Sequence, residues 1–211
     1  MSDDKNIESN ATGERGCAGS GDCSRRNLLV ATAVVGGAAG VGAAVPFVAS
    51  FTPSERAKAA GAPVEADIGK LQPGDMMTVE WRGKPVWIIR RTKEQLAQLD
   101  KDAGLLADPD STHAEQPAYI KGAYRSIKPE YMVCIGICTH LGCSPSAKFV
   151  IADPSMGGDW PGGFLCPCHG STFDLAARVF KNKPAPDNLP VPPHYYLSDT
   201  RILIGEDGKG A

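Results

Sequence analysis

Residues 138–143 read CTHLGC and residues 166–171 read CPCHGS. Two of the chain's four histidines and four of its seven cysteines stand in these blocks. Cys138 and His140 are two residues apart, and Cys166 and His169 are three apart. Either spacing lets a thiolate and an imidazole of one tight loop face one centre, so the fold must bring two distant loops together. A Cys2His2 set suits tetrahedral zinc, or a two-iron cluster with thiolates on one iron and imidazoles on the other. Common zinc sites pair like with like, as C-x2–4-C and H-x3–5-H. Here each loop offers one ligand of each kind, and two such loops could clamp a two-iron unit from both sides. A structural zinc domain stays open at this stage; assay of iron and acid-labile sulfide decides it.

The chain before these blocks changes character twice. Residues 1–24 are polar and rich in Asp, Glu, Gly and Ser, as expected of a disordered tail. Leu28 to Val48 then runs without a charge. As a helix it reaches about 31 Å at 1.5 Å per residue, the thickness of a bilayer's hydrocarbon core. Arg25–Arg26, just before it, resembles a twin-arginine export signal. The expectation over 25–49 is an export signal retained as a single membrane anchor. A cleaved signal peptide and a buried core helix are the competing readings. Paired arginines before the span favour a cytoplasmic N-terminus. Residues 50–66, rich in small residues with Pro53, Gly61 and Pro63, read as a linker, with a mobile hinge and a plain spacer both open. With a net charge of −2 the whole chain has no polybasic character, which argues against nucleic acid.

From about Val64 the pattern is one of short strands. Met76–Trp81 and Pro85–Arg90 flank Arg82-Gly83-Lys84 as a hairpin. Thr92-Lys93-Glu94-Gln95 is a capping box opening a short helix to about Leu99. Residues 100–118 read as loop. Tyr131–Ile135, Ala147–Ile151, Tyr195–Leu197 and Arg201–Ile204 are further strand candidates. With 24 glycines and 17 prolines as punctuation, this is an all-β pattern. Cys134 reads as a small buried residue. Cys17 and Cys23, in the tail, read as free thiols in a reducing compartment. His113 and His194 read as solvated loop residues without a site.

The pair C-T-H-L-G-C and C-P-C-H-G-S resembles the two boxes of the Rieske iron–sulfur proteins, of the type in bacterial cytochrome bc complexes (ubiquinol–cytochrome c reductases). The resemblance implies a Rieske-type all-β domain over 67–211, with antiparallel sheets and one short helix–loop insertion. A smaller cluster-binding subdomain would cover about 134–190, and a single N-terminal transmembrane helix would precede the domain. It implies one 2Fe–2S cluster with Cys138 and Cys166 on one iron and His140 and His169 on the other. By the same resemblance Cys143 and Cys168 form a disulfide, which an exported domain permits. Leu141 would pack over the cluster near the histidines, and Ser171 would bond a bridging sulfide. Phe173 stands where many members have a tyrosine that bonds a ligand sulfur. Lys183-Pro184-Ala185-Pro186 resembles the family's proline loop but has Lys183 where Gly is usual, which puts the turn there in doubt.

The function implied is a respiratory electron-transfer subunit. It would take an electron and, at His140 or His169, a proton from quinol at cytochrome b. It would then pass the electron to a c-type cytochrome within a dimeric, proton-translocating complex. The head would lie in the periplasm on the inner (cell) membrane, with residues 50–66 as its hinge. The alternative is the Rieske small subunit of an exported molybdenum oxidase, a relay without quinol contact.

Overall fold

A computed structural model of the chain describes residues 20–54, 58 and 61–208; the side chains of 20–23 are not described. Most of the expected tail, with Cys17, lies outside the described residues, as do residues 55–57 and 59–60 of the expected linker. The chain divides into two units, Met1–Ser54 and Glu55–Ala211.

The described part of the first unit holds one helix, α1 (Ser20–Ser50). It begins before the arginine pair, so Cys23 sits on helical backbone. Within Ser24–Ser50 an 18-residue stretch has a mean hydropathy of 2.1, and every side chain of the segment is exposed. That is long and apolar enough to cross a membrane. Thr32 donates its hydroxyl back to Leu28 O at 2.8 Å, which satisfies the polar group without solvent.

The described residues of the second unit carry nine strands, all paired antiparallel. They are β1 (Val64–Asp67), β2 (Met76–Trp81), β3 (Lys84–Arg90), β4 (Tyr131–Ile135), β5 (Ser146–Lys148), β6 (Gly163–Leu165), β7 (Thr172–Phe173), β8 (His194–Ser198) and β9 (Arg201–Ile204). They form three sheets of order β1-β9-β8, β2-β3-β4 and β5-β6-β7. The β2–β3 loop is one residue shorter than the expected three, because Lys84 already pairs with Trp81. Arg82 and Gly83 both have positive φ, 52° and 69°, the requirement of a two-residue turn that follows the strand twist.

Within the sheet β2-β3-β4, strands β3 and β4 are buried on both faces. Val86, Ile88, Tyr131, Val133 and Ile135 pack with Ala66, Ile68, Ile202 and Ile204. The alternate residues Trp87, Ile89, Met132 and Cys134 pack with Phe164, Phe173, Cys138 and Cys166. This two-sided burial explains why Tyr131–Ile135 is apolar at every position instead of alternating. Trp87 stacks on Phe164 with ring centroids 4.8 Å apart and joins the central sheet to β6. Gly136 is required beside it: a Cβ there would lie 2.2 Å from the Trp87 indole.

The insertion between β3 and β4 opens with α2 (Lys93–Leu99), capped by Thr92. Both halves of the capping box are present, Gln95 N–H to Thr92 Oγ1 at 3.2 Å and Thr92 N–H to Gln95 Oε1 at 2.9 Å. Residues 102–105 form a short 3-10 turn within the expected loop. The insertion then runs along the cluster-binding side. Leu106 bridges Phe180, and Ala107 N–H donates to Val179 O at 3.0 Å.

Two expectations are corrected. The strand over Ala147–Ile151 is instead Ser146–Lys148, and Val150 and Ile151 are exposed. His194 is no solvated loop residue. It opens β8 at 1% exposure, its Nδ1 is 2.9 Å from Pro192 O, and its backbone N–H donates to Tyr119 Oη at 3.0 Å. The prolines before it mimic a loop, and its partner Tyr119 lies far away in sequence. Burial lowers its pKa, so the ring is neutral where a free histidine would begin to titrate. Cys134 is fully buried and His113 is exposed, as expected.

Candidate metal centre

The two Cys/His blocks fold alike. In the first, Cys138 N–H donates to Cys143 O (2.7 Å) and Gly142 N–H to Cys138 O (3.0 Å). In the second, Cys166 N–H donates to Ser171 O (2.8 Å) and Gly170 N–H to Cys166 O (3.0 Å). Each loop closes on a glycine with φ of +83° or +73°, a conformation that a side chain would strain. Matched this way, the leading cysteines coincide, while His140 is two residues on and His169 three. Cys143 stands at the loop's end and Cys168 in the loop's middle.

Cys143 and Cys168 are joined by a disulfide. Cys138 and Cys166, each 2% exposed, remain free thiols and lie against one another. The His140 and His169 rings meet edge-on with centroids 4.8 Å apart. His169 is exposed and His140 half-buried. The loops therefore present two buried thiols inward and two adjacent imidazoles outward. Cys166 Sγ also lies within 4.8 Å of both disulfide sulfurs. Those sulfurs have no thiolate to give, so that trio is not a metal site.

Burial, first, and the neighbouring Cys166 push the Cys138 thiol above its ordinary range. The His140 backbone N–H and the Ser171 hydroxyl pull it the other way by favouring the thiolate. Metal binding removes that proton and relieves the conflict between burial and charge. Two thiols and two neutral imidazoles, segregated by side, fit a mixed-ligand two-iron cluster.

The proline loop is fastened to both blocks. Thr139 Oγ1 donates to Asp187 O at 2.6 Å, and Ala185 N–H donates to Ser171 Oγ at 3.0 Å. Ser171 is fully buried, so its hydroxyl joins this loop to the Cys138 thiol. Asn182, one residue before, has a positive φ of 58°, whereas Lys183 does not. Lys183 has no such requirement, which removes the doubt raised by its identity. Leu141 is 71% exposed. Phe173 is fully buried in the apolar cluster that contains Cys138 and Cys166.

Sequence reasoning missed the groups that brace these loops. Arg178, 1% exposed, donates from Nε to Asp174 Oδ2 at 2.8 Å and from Nη2 to Leu99 O at 3.0 Å. Asp174 Oδ1 accepts from the Ala176 and Arg178 backbone N–H groups at 2.9 and 2.7 Å. Asn188, 1% exposed, accepts from Val179 N–H at 2.8 Å and donates to Asp108 O and Ser111 Oγ, each at 2.9 Å. Arg91 and Arg125 are buried beside them. The Asp174–Arg178 spacing just after the second block was a usable signal. Arg125 and Asn188 look like ordinary loop residues, and nothing local marks them.

The chain is similar to known proteins over most of its length. Residues 109–193 match the family described as "Rieske [2Fe-2S] domain". Residues 17–54 match one described as "Ubiquitinol-cytochrome C reductase Fe-S subunit TAT signal". The ubiquinol-cytochrome c reductase iron-sulfur subunit of Allochromatium vinosum is 62% identical over 89% of this chain and 91% of its own. That of Bradyrhizobium diazoefficiens is 40% identical over 86% of this chain and 94% of its own. A solved chain titled "Hyperthermophilic respiratory Complex III" is 27% identical at a TM-score of 0.44, covering 83% of this chain and 98% of that one.

Proposed function

The chain belongs to the Rieske iron–sulfur subunits of ubiquinol–cytochrome c reductase, and from that premise we propose that Cys138, His140, Cys166 and His169 are the four ligands of its [2Fe–2S] cluster. It is an electron-transfer subunit of a membrane oxidoreductase complex with cytochrome partners, anchored by an N-terminal apolar helix. The finer reading is that quinol at cytochrome b is the electron donor and a c-type cytochrome the acceptor, within a dimeric complex. The N-terminus lies in the cytoplasm and the head in the periplasm, in keeping with Arg25–Arg26 and the disulfide. Residues 50–63 form the hinge and 64–211 the head, because Val64–Ala66, expected in the linker, already pair with β9 and Ala66 is buried in the core; the cluster-binding subdomain covers about 134–190.

The observation that carries this reading is the split of the site into a buried thiol side and an exposed imidazole side. When bound, the cluster supplies one-electron chemistry at a potential raised by its two neutral ligands. The protein's own share is the proton. An imidazole bound through one ring nitrogen keeps the other free to accept a hydrogen bond, and then a proton, from a quinol hydroxyl. His169, the more exposed ring, meets the ligand first, and His140 lies edge-on beside it. Leu141 supplies an apolar surface next to the pair. The disulfide and Ser171 hold the loops so that the thiols stay away from water.

Purification from membranes in mild detergent tests the assignment. The expected result is co-purification with b- and c-type haem and two acid-labile sulfides per chain. Quinol-dependent reduction of the c-type cytochrome should be lost in His169→Ala and His140→Ala. Zinc without iron, or a molybdenum subunit in place of the cytochromes, would overturn it.

A further inference from the structure

Among the described residues three arginines are buried in the head, and they are not equivalent. Arg178 has a carboxylate partner, Asp174. Arg91 and Arg125 have none among the described residues. Arg125 is fully buried; Nη1 donates to Ala176 O and Ala177 O at 3.0 Å each, Nη2 to Leu189 O at 2.9 Å, and Nε to Gln116 Oε1 at 2.8 Å. Arg91, 2% exposed, donates to Pro129 O, Tyr124 O, Leu175 O and the Ser126 hydroxyl. Every one of these acceptors is neutral. Burial lowers both guanidinium pKa values to about 10, so both remain charged at neutral pH. The buried carboxylate that acts on both, Asp174, is already paired with Arg178, and a further acidic group that acts on both is Cys134. Its thiol is pushed up to about 12, so it offers no counter-charge there.

Hydrogen bonding alone does not require a cation at this place. Asn188 satisfies the neighbouring Asp108 carbonyl with a neutral amide. Burying a charge without an ionic partner is costly. What the charge can do is act at a distance through a medium that screens it poorly. Its acceptors lie on the chain leaving the second Cys/His block and on Leu189, just past the proline loop. Ala177 and Leu189 pack in the same apolar cluster as Cys138 and Cys166.

We propose that Arg125, seconded by Arg91, is an electrostatic tuning residue whose unpaired buried charge stabilises the added electron at the Cys138/Cys166/His140/His169 site. The proposal rests on the cluster assignment above. A site that gains one negative charge on reduction is favoured by a fixed cation in its own core, and its midpoint potential rises.

The test is a redox titration of the full-length protein in its detergent-solubilised complex, followed by electron paramagnetic resonance. Gln116→Glu sets a carboxylate on Arg125 Nε and leaves every Arg125 hydrogen bond in place. Gln116→Met removes the acceptor without adding charge. Arg125→Lys keeps the charge and gives up the fork, and Arg125→Gln loses both. The expected result is a several-fold fall in the equilibrium constant for reduction in Gln116→Glu and Arg125→Gln. Gln116→Met and Arg125→Lys should stay at the wild-type value. The shift should persist in high salt, since a buried charge is screened little. A wild-type value in Gln116→Glu would overturn the proposal. So would equal shifts in the two Arg125 variants, or a shift that salt abolishes. If the Arg125 variants fail to assemble, the two Gln116 variants decide it alone. Absence of iron and acid-labile sulfide from the wild type would instead remove the cluster assignment.

Discussion

Around β2, β3 and β4, the head is held by alternating apolar side chains that fill two cores. Around the Cys/His loops, the strands shrink to two or three residues. There the chain is held by a disulfide, a buried ion pair and side-chain bonds to backbone carbonyls. The contrast follows from what each half presents. A sheet face is apolar at every second residue, so burial alone can order it. A ligand loop must turn sharply and keep polar groups near the metal, so its backbone needs individual partners. The second half thus depends on a few directional contacts, and removing one should cost more than removing a methyl group from the first.

The largest effect should come from breaking the ion pair. Arg178→Ala leaves Asp174 fully buried without its cation and frees Leu99 O. Breaking such a pair costs about 3–5 kcal/mol. The measurement is the shift in denaturant midpoint, with cluster content lost in parallel. A loss below about 1 kcal/mol would mean that the loops stand without this brace.

Cys143→Ser comes next. The bond closes a segment with a sequence separation of 25, and its loss should cost about 3 kcal/mol on the chain-entropy account. No ligand is removed, yet the cluster should become labile, because Cys166 Sγ lies within 4.8 Å of both bonded sulfurs. An unchanged cluster lifetime under air would separate the disulfide from the site.

Ile88→Val gives the opposite case. Ile88 is fully buried in the core shared by β3, β4 and β9, away from the cysteine ligands. Loss of one methylene should cost about 1 kcal/mol and leave the midpoint potential where it was. A shifted potential would show that the two halves are mechanically coupled through the central sheet.

The same contrast governs what the sequence discloses. The β2–β3 hairpin, the Thr92–Gln95 capping box and Tyr131–Ile135 are legible because their causes are local: turn residues, a cap and an apolar run. The metal ligands are legible for a different reason, since Cys and His at fixed spacing constrain chemistry directly. The bracing groups are not legible. Arg125 and Asn188 each have one partner nine positions away, but Arg125 also bonds residues 51 to 64 positions away and Asn188 reaches back 77 to 80 positions. No short window of sequence contains all of these partners. β6 is hidden for a related reason: Gly163 breaks the apolar pattern, yet a Cβ there would lie 2.0 Å from Phe173 O. His194 is misread because Pro192 and Pro193 look like a loop, while its strand is defined by β9 and Tyr119.

The smallest expected change in stability, and the most informative for the site, is Phe173→Tyr. Phe173 lies on β7 opposite Phe164 and packs in the core that holds Cys138 and Cys166. A hydroxyl added there enters a dry place and must find a partner, and a ligand sulfur is the acceptor expected from the resemblance to relatives with tyrosine. A hydrogen bond to that sulfur withdraws electron density and favours the reduced state, so the midpoint potential should rise. The gain of one satisfied hydrogen bond and the strain of one extra atom should nearly cancel, leaving unfolding within about 1 kcal/mol of wild type. The titration distinguishes two outcomes. A raised potential with unchanged stability places the new hydroxyl on the ligand sulfur. A lowered stability with unchanged potential means that it is left unpaired among the aromatic rings, and the expected tuning role of this position fails.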